Sequence, residues 1–138
     1  MIVYLTRKEY FNAAHRMFRE DWTAEKNFEV FGKCSNPNYH GHNYTLIVTV
    51  KGEVNPSNPY LIDLKALKVI INDEVIEQLD HKNLNLDVEF MKGKMATTEL
   101  LCAEIYARLK YPVESHDGVQ LHSVKIFETG NNSAECFG

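Results

Sequence analysis

Cys34-Ser35-Asn36-Pro37-Asn38-Tyr39-His40-Gly41-His42-Asn43-Tyr44 sets a thiol, a turn-forming Asn-Pro-Asn and two imidazoles in front of an apolar alternation. If the backbone there is extended, His40 and His42 point the same way, because side chains alternate faces with a period of two. Gly41 between them lets the backbone pass close to whatever they hold. A strand edge built this way presents two nitrogens to one metal ion. Downstream, His42, Tyr44, Leu46, Val48 and Val50 share one face, while Asn43, Thr45, Thr49 and Lys51 lie mostly on the other. That pattern predicts a strand over 42–54 with one buried side.

Upstream, residues 2–15 are rich in strand formers and end in Phe11-Asn12-Ala13-Ala14-His15, where Phe11, Ala13 and His15 share a face. Thr23 can cap a short helix through Phe31, which Gly32 stops. On the other side, Asn55-Pro56-Ser57-Asn58-Pro59 reads as a loop, and Tyr60-Leu61-Ile62 can return as a short partner strand. Asp63 caps a helix carrying Leu64, Leu67, Ile70, Ile71 and Val75 at spacings of three and four, running to about Gln78. Thr97 caps a second helix built on Leu101, Ile105 and Leu109, with Pro112 expected just past its end. A final strand over Val119–Thr129 and a turn at Gly130-Asn131-Asn132 lead into a tail strand. The reading is α+β: an antiparallel four-stranded sheet with two helices on one face. Such a sheet leaves two open edges, so an oligomer that pairs them is expected.

At 138 residues the chain fits one domain spanning 1–138. Its 44% hydrophobic and 25% charged residues are those of an ordinary soluble protein, and its net charge of -4 argues against nucleic-acid binding. No apolar run approaches the roughly 20 residues that span a bilayer, and the N-terminal residues lack the pattern of a signal peptide. Cys34, Cys102 and Cys136 are odd in number and have no CxxC spacing, which suits a reducing cytoplasm.

His40 and His42 need a further ligand, and His15, ending a strand among small residues, is the best candidate. Three imidazoles with an open position mark catalytic zinc, whereas structural sites close with four protein ligands. The pair alone is equally readable as loop histidines. Cys34 could be a fourth ligand, making the site structural, or a thiolate base beside the metal; spacing leaves both open. Cys102 reads as packing, Cys136 carries no signal, and His116 and His122 read as structural. Asp80-His81 follows a helix, and a carboxylate that orients an imidazole makes a proton-transfer pair. Neighbours on a regular element face apart, so the pair needs loop or helix-end geometry; otherwise it is a helix terminus. Glu128 shares a strand face with Val124 and Ile126, which is costly for a carboxylate without a partner. A planar heterocycle with an amino-pyrimidine edge offers two N–H donors to such a group. Glu99 is accounted for by the helix dipole.

Taken together, Phe11–Arg16, Gly32–Tyr44, Leu79–Leu84, Thr97-Thr98-Glu99 and Glu128-Thr129 resemble, block by block, the 6-pyruvoyl-tetrahydropterin synthase family across essentially the whole chain. The resemblance implies the tunnelling fold (T-fold), with ββααββ subunits joining their sheets into a barrel as trimers and two trimers stacking into a hexamer. It implies one zinc per subunit on His15, His40 and His42. It implies Cys34 as the proton-abstracting base, assisted by Asp80 and His81 across a subunit interface, and Glu128 as the pterin anchor, with Thr97, Thr98 and Glu99 beside it at the substrate. The family's reaction eliminates triphosphate from 7,8-dihydroneopterin triphosphate to give 6-pyruvoyl-tetrahydropterin. Zinc on the side-chain hydroxyls would acidify the neighbouring C–H bonds. Lys33, Arg16 and Lys82 are the cations nearest in sequence for the triphosphate.

The alternative within the superfamily is a 6-carboxy-tetrahydropterin synthase of the queuosine pathway, which uses the same substrate, fold and zinc but releases acetaldehyde. Those enzymes have a shorter spacing between the cysteine and HGH than the five residues found here. Tyr39 replaces the usual small residue before His40, and Asn12 replaces a common serine. A non-catalytic, zinc-stabilised pterin-binding oligomer is a further reading, against which Cys34, Asp80 and His81 together speak, since binding needs none of them.

Overall fold

β1 (Ile2–His15) and β2 (His40–Glu53) pair antiparallel along their whole length in the computed structural model, which describes residues 1–138. Their register places Phe11 opposite Tyr44, and the two rings stack 4.8 Å apart, 10° from parallel. A slip of one residue would turn every inward side chain out, so the apolar alternation of both strands fixes this pairing. β2 begins at His40, two residues ahead of the expected start, because the pairing with β1 reaches His15.

The helical layer follows the spacings in the sequence. α1 (Ala24–Phe31) is capped by the Thr23 hydroxyl, which accepts the Lys26 N–H, and ends at Gly32 in the left-handed region at φ 58°. α2 (Leu64–Ile71), capped by Asp63, continues through a single wide turn at Asn72–Ile76 into α3 (Glu77–Leu79). Arg108 braces that turn, donating to the Glu74 carbonyl and carboxylate. A two-residue strand β3 (Lys82–Asn83) follows, then α4 (Thr98–Glu114), β4 (Val119–Phe127) and β5 (Ser133–Cys136).

The strand order is β3-β1-β2-β4-β5, and β3 runs parallel to β1. The sheet is therefore five-stranded and mixed, not the four antiparallel strands expected, because two residues carry no period for a sequence to display. Tyr60–Ile62 forms no strand. It is pinned by side chains instead: Ile62 is buried, and Leu61 packs so close to Gly52 that a Cβ there would meet it at 2.9 Å and run into the Gly118 carbonyl. Pro112 lies inside α4 rather than beyond it. In the last turn a proline removes one N–H bond, and the buried Leu109 and Val113 either side of it keep the chain helical.

Leu67, Ile71, Val75 and Leu79 from the first helical run and Leu101, Ile105 and Leu109 from α4 meet Leu46, Val48, Val50, Val124 and Ile126 of the sheet in one core. Each such side chain is worth about 2–5 kcal/mol against truncation to alanine. The opposite face of β1 leaves Ile2, Tyr4 and Tyr10 exposed. No helix is long and apolar enough to cross a membrane.

Candidate active site

The antiparallel register puts His15 directly opposite His40, and Ala13 opposite His42. Cross-strand partners point to the same face, so three imidazoles converge where β1 ends and β2 begins. One nitrogen from each lies within 4.8 Å of the others, and the ring centroids stand 4.6–5.0 Å apart. His15 is only 1% exposed. Its Nδ1 lies 2.8 Å from the Ala96 carbonyl, which can only accept, so Nδ1 carries the proton and Nε2 presents a lone pair. Burial pushes the His15 imidazole below its usual range, against the pull of that hydrogen bond. Burial, then the neighbouring His42, pushes His40 down as well.

His15 Nε2, His40 Nδ1 and His42 Nε2 are all buried without a hydrogen-bond partner. Buried polar atoms are ordinarily satisfied, and three unsatisfied imidazole nitrogens in mutual reach have the form metal ligation requires. The residues present thus fit a divalent ion, and the Ala96 carbonyl behind His15 is the kind of outer partner that fixes a ligand's tautomer. Gly41 also serves the pairing of the two strands. A Cβ there would stand 3.3 Å from the Ala13 carbonyl, so the glycine permits close β1–β2 pairing, and it lines a cavity with His42.

Glu128 stands beside the trio. It lies in the turn just past β4, not on the strand, with its N–H bonded to the Asn132 carbonyl at 3.0 Å. Its Oε1 is 3.7 Å from His42 Nε2 and its Oε2 3.9 Å from His15 Nε2. The Thr98 hydroxyl donates to Oε2 at 2.6 Å. Thr97 accepts the Leu100 N–H and so caps α4. Thr97, Thr98, Glu99 and Glu128 all line one cavity of 480 Å³, with Met17 and Asn132 on its wall. The structure therefore gathers the four residues singled out for the substrate at one opening.

Cys34 sits in a short 3-10 turn, Gly32–Ser35, whose Cys34 carbonyl accepts the Met17 N–H at 2.8 Å. That bond ties the turn to the chain two residues beyond His15. The thiol is free and half-buried, and it does not join the three-imidazole group. Asp80 and His81 lie at the other side of β1. His81 takes φ 61°, a left-handed conformation that lets neighbouring side chains meet, and its Nδ1 lies 2.9 Å from Asp80 Oδ2. Asp80 Oδ1 accepts the Asn12 N–H at 3.0 Å, and the His81 N–H donates to the Asn12 carbonyl at 2.7 Å. The Asn12 N–H, with His81 adding to it, holds the Asp80 carboxyl below its usual range.

Three further residues matter to which the sequence reading gave no role in the site. Ala96 and Asn12 act through their backbones, which no side-chain pattern records. Tyr44 reads as one more apolar-face residue, yet it is 1% exposed with an unpartnered hydroxyl, and its ring stands 5.7 Å from His42. Burial, with the Glu128 charge behind it, pushes that phenol well above its usual range. The cations divide: Arg16 donates to the Ser35 carbonyl and, with Lys33, lines a second cavity of 340 Å³, while Lys82 lines another with His42 and His81. His122 packs edge-on against Tyr4, away from the trio.

A family model described as 6-pyruvoyl tetrahydropterin synthase matches residues 4–138. A 6-pyruvoyl tetrahydrobiopterin synthase of Pongo abelii is 41% identical over 130 residues, covering 93% of this chain and 86% of its own length. Its counterpart in Dictyostelium discoideum is 40% identical over 130 residues, covering 94% and 92%. The solved structure of Caenorhabditis elegans 6-pyruvoyl tetrahydropterin synthase matches with a TM-score of 0.91 at 38% identity, over 100% of this chain and 96% of that one.

Proposed function

We infer the function from one premise: the chain belongs to the 6-pyruvoyl tetrahydropterin synthase family. It is a lyase that converts 7,8-dihydroneopterin triphosphate to 6-pyruvoyl-tetrahydropterin with loss of triphosphate, a step in tetrahydrobiopterin formation. The observation that carries this reading is the convergence of three unpartnered imidazole nitrogens with a Thr98-held carboxylate at the mouth of a cavity.

His15, His40 and His42 hold the metal. Neutral imidazoles suit zinc among several divalent ions, and zinc supplies Lewis acidity to the substrate's side-chain oxygens. Glu128 accepts the N–H donors of the pterin edge, with Thr97, Thr98 and Glu99 around it. Cys34 takes the carbon-bound proton as a thiolate. Asp80 orients His81 and balances its charge, so the imidazole can deliver a proton and regain one from solvent. The assembly is the tunnelling fold of the family: residues 1–138 as one domain, sheets joined into a barrel in trimers, two trimers in a hexamer. Exposed Ile2, Tyr4 and Tyr10 support burial of that face, and the exposed His81 supports a role at a neighbour's Cys34. A reducing cytoplasm suits the three free thiols.

Incubating the zinc-loaded protein with dihydroneopterin triphosphate and identifying the products by mass tests the reading. The expected products are triphosphate and the 6-pyruvoyl pterin. Release of acetaldehyde would assign the 6-carboxy reaction instead, and unreacted substrate that nonetheless binds would leave only a pterin-binding oligomer.

A further inference from the structure

Glu128 faces two ways. The residue lines the 480 Å³ cavity with Thr97, Thr98 and Glu99, and its carboxylate stands against the histidines, 3.7 Å from His42 Nε2 and 3.9 Å from His15 Nε2. These separations are too long for hydrogen bonds. For His15 the chemistry also forbids one: Nδ1 keeps its proton for the Ala96 carbonyl, so Nε2 offers a lone pair to an oxygen that offers another. Two electron-rich atoms held face to face repel unless a cation lies between them. Atoms that share one zinc at bonds of about 2.0–2.2 Å stand no more than roughly 4.4 Å apart, and the Oε1–His42 separation falls inside that limit.

We propose that Glu128 is an exchangeable fourth ligand of the metal, closing the site before substrate arrives and leaving the ion when the pterin edge claims its carboxylate. The proposal rests on the reading of Glu128 as the pterin anchor and adds a second state to it. Oε2 is engaged by the Thr98 hydroxyl, whereas Oε1 has no other partner and makes the shorter approach to a ligand nitrogen, so Oε1 is the metal-side oxygen. Glu128 follows the last β4–β5 pair, its N–H bonded to the Asn132 carbonyl, so the exchange is a change of side-chain rotamer on a fixed backbone. Substrate binding then frees a coordination position at the moment a side-chain oxygen is present to fill it, and a bare open site need not persist in the resting enzyme.

Cobalt(II)-loaded protein reports coordination by its visible spectrum, and chelator competition reports affinity, both without turnover. Glu128→Gln is expected to loosen cobalt and zinc at least ~10-fold, the lower end of what disturbing groups around a metal costs, and to change the cobalt spectrum. A pterin with no side chain offers the ion no hydroxyls; at saturation it should move the wild-type spectrum toward that of Glu128→Gln and leave the variant's unchanged. Unaltered metal affinity in the variant, or a wild-type spectrum indifferent to bound pterin, overturns the proposal while leaving the anchor reading standing. Should Glu128→Gln fail to fold, the wild-type titration decides alone. Failure of the wild-type protein to bind the pterin at all would overturn the anchor reading and the exchange together.

Discussion

The three histidines and the Asp80–His81 pair occupy the same end of β1, yet they are built on opposite terms. The histidines sit on the paired ends of two fourteen-residue strands, with His15 buried to 1% exposure and held by a backbone carbonyl. The pair hangs on a two-residue strand at the sheet edge, and its imidazole is 77% exposed. Register and burial complete the three-imidazole cluster within one chain. The Asp80–His81 pair is aligned internally, and its imidazole opens to solvent at the rim of the cavity it shares with His42. A ligand set must be rigid and dry, since an ion in a loose shell is lost to water; a proton carrier must reach solvent. The two poles differ as those two tasks differ, one buried and one open to solvent.

Removing one member from each pole tests that contrast most forcefully. His15→Ala should abolish stoichiometric metal binding, and turnover with it. It should also cost on the order of 1–3 kcal/mol of stability by leaving the Ala96 carbonyl buried without a donor. His81→Ala should retain full metal content and an unchanged melting temperature while losing activity. Metal analysis and thermal unfolding of the two purified variants check this; equal metal loss in both would erase the distinction between the poles.

Cys34 stands outside the three-imidazole group, and its replacement sharpens the boundary. As the base, Cys34→Ala should keep its zinc and bind pterin while turnover falls by at least ~10² to 10⁴, the range for losing a general base. As a ligand it would belong to the metal pole, and the variant would release metal and lose the folding energy that ion contributes. Zinc content, pterin affinity and single-turnover rate measured on one preparation separate the two.

What the chain discloses before folding follows the same division. The His40–His42 pair and the inward face of His15 were legible because period two dictates both, and the long strands and helices declared themselves by alternation and by three-and-four spacing. The edge was not legible. β3 is too short to have a period, and its parallel pairing depends on the free edge that β1 offers at Ala13 and Ala14. Contact between Asp80 and His81 depends on a left-handed backbone at His81, and Tyr39 takes another at φ 66° just before His40; no residue type announces either. Glu128 stood out as a carboxylate with apolar neighbours, but its place in the turn depends on where β4 stops pairing. Side-chain periodicity encodes the metal pole, while backbone geometry that sequence expresses weakly encodes the proton pole.

The smallest effect is the one that probes how the exposed pole is held. Asp80 titrates below its ordinary value of 3.8 in the folded chain, chiefly because the Asn12 N–H bonds its ionised form. A carboxyl depressed on folding contributes stability that is fully present above the unfolded pKa and is lost as pH falls through the folded one. Wild type should therefore exceed Asp80→Asn in stability at neutral pH, by about 1 kcal/mol or less, because a side chain 35% exposed is screened by water. The difference should shrink as pH drops below 3.8. Urea midpoints of the two metal-free proteins, compared across the acid range, read this directly, since every other residue is common to both. A gap that widened toward acid would contradict the assignment. A gap that stayed flat would mean that the Asn12 N–H holds this segment whatever the charge, because an asparagine carbonyl at 80 can accept the same bond; alignment of His81 would then be a matter of backbone geometry, and the carboxylate would be left with the imidazole's charge alone.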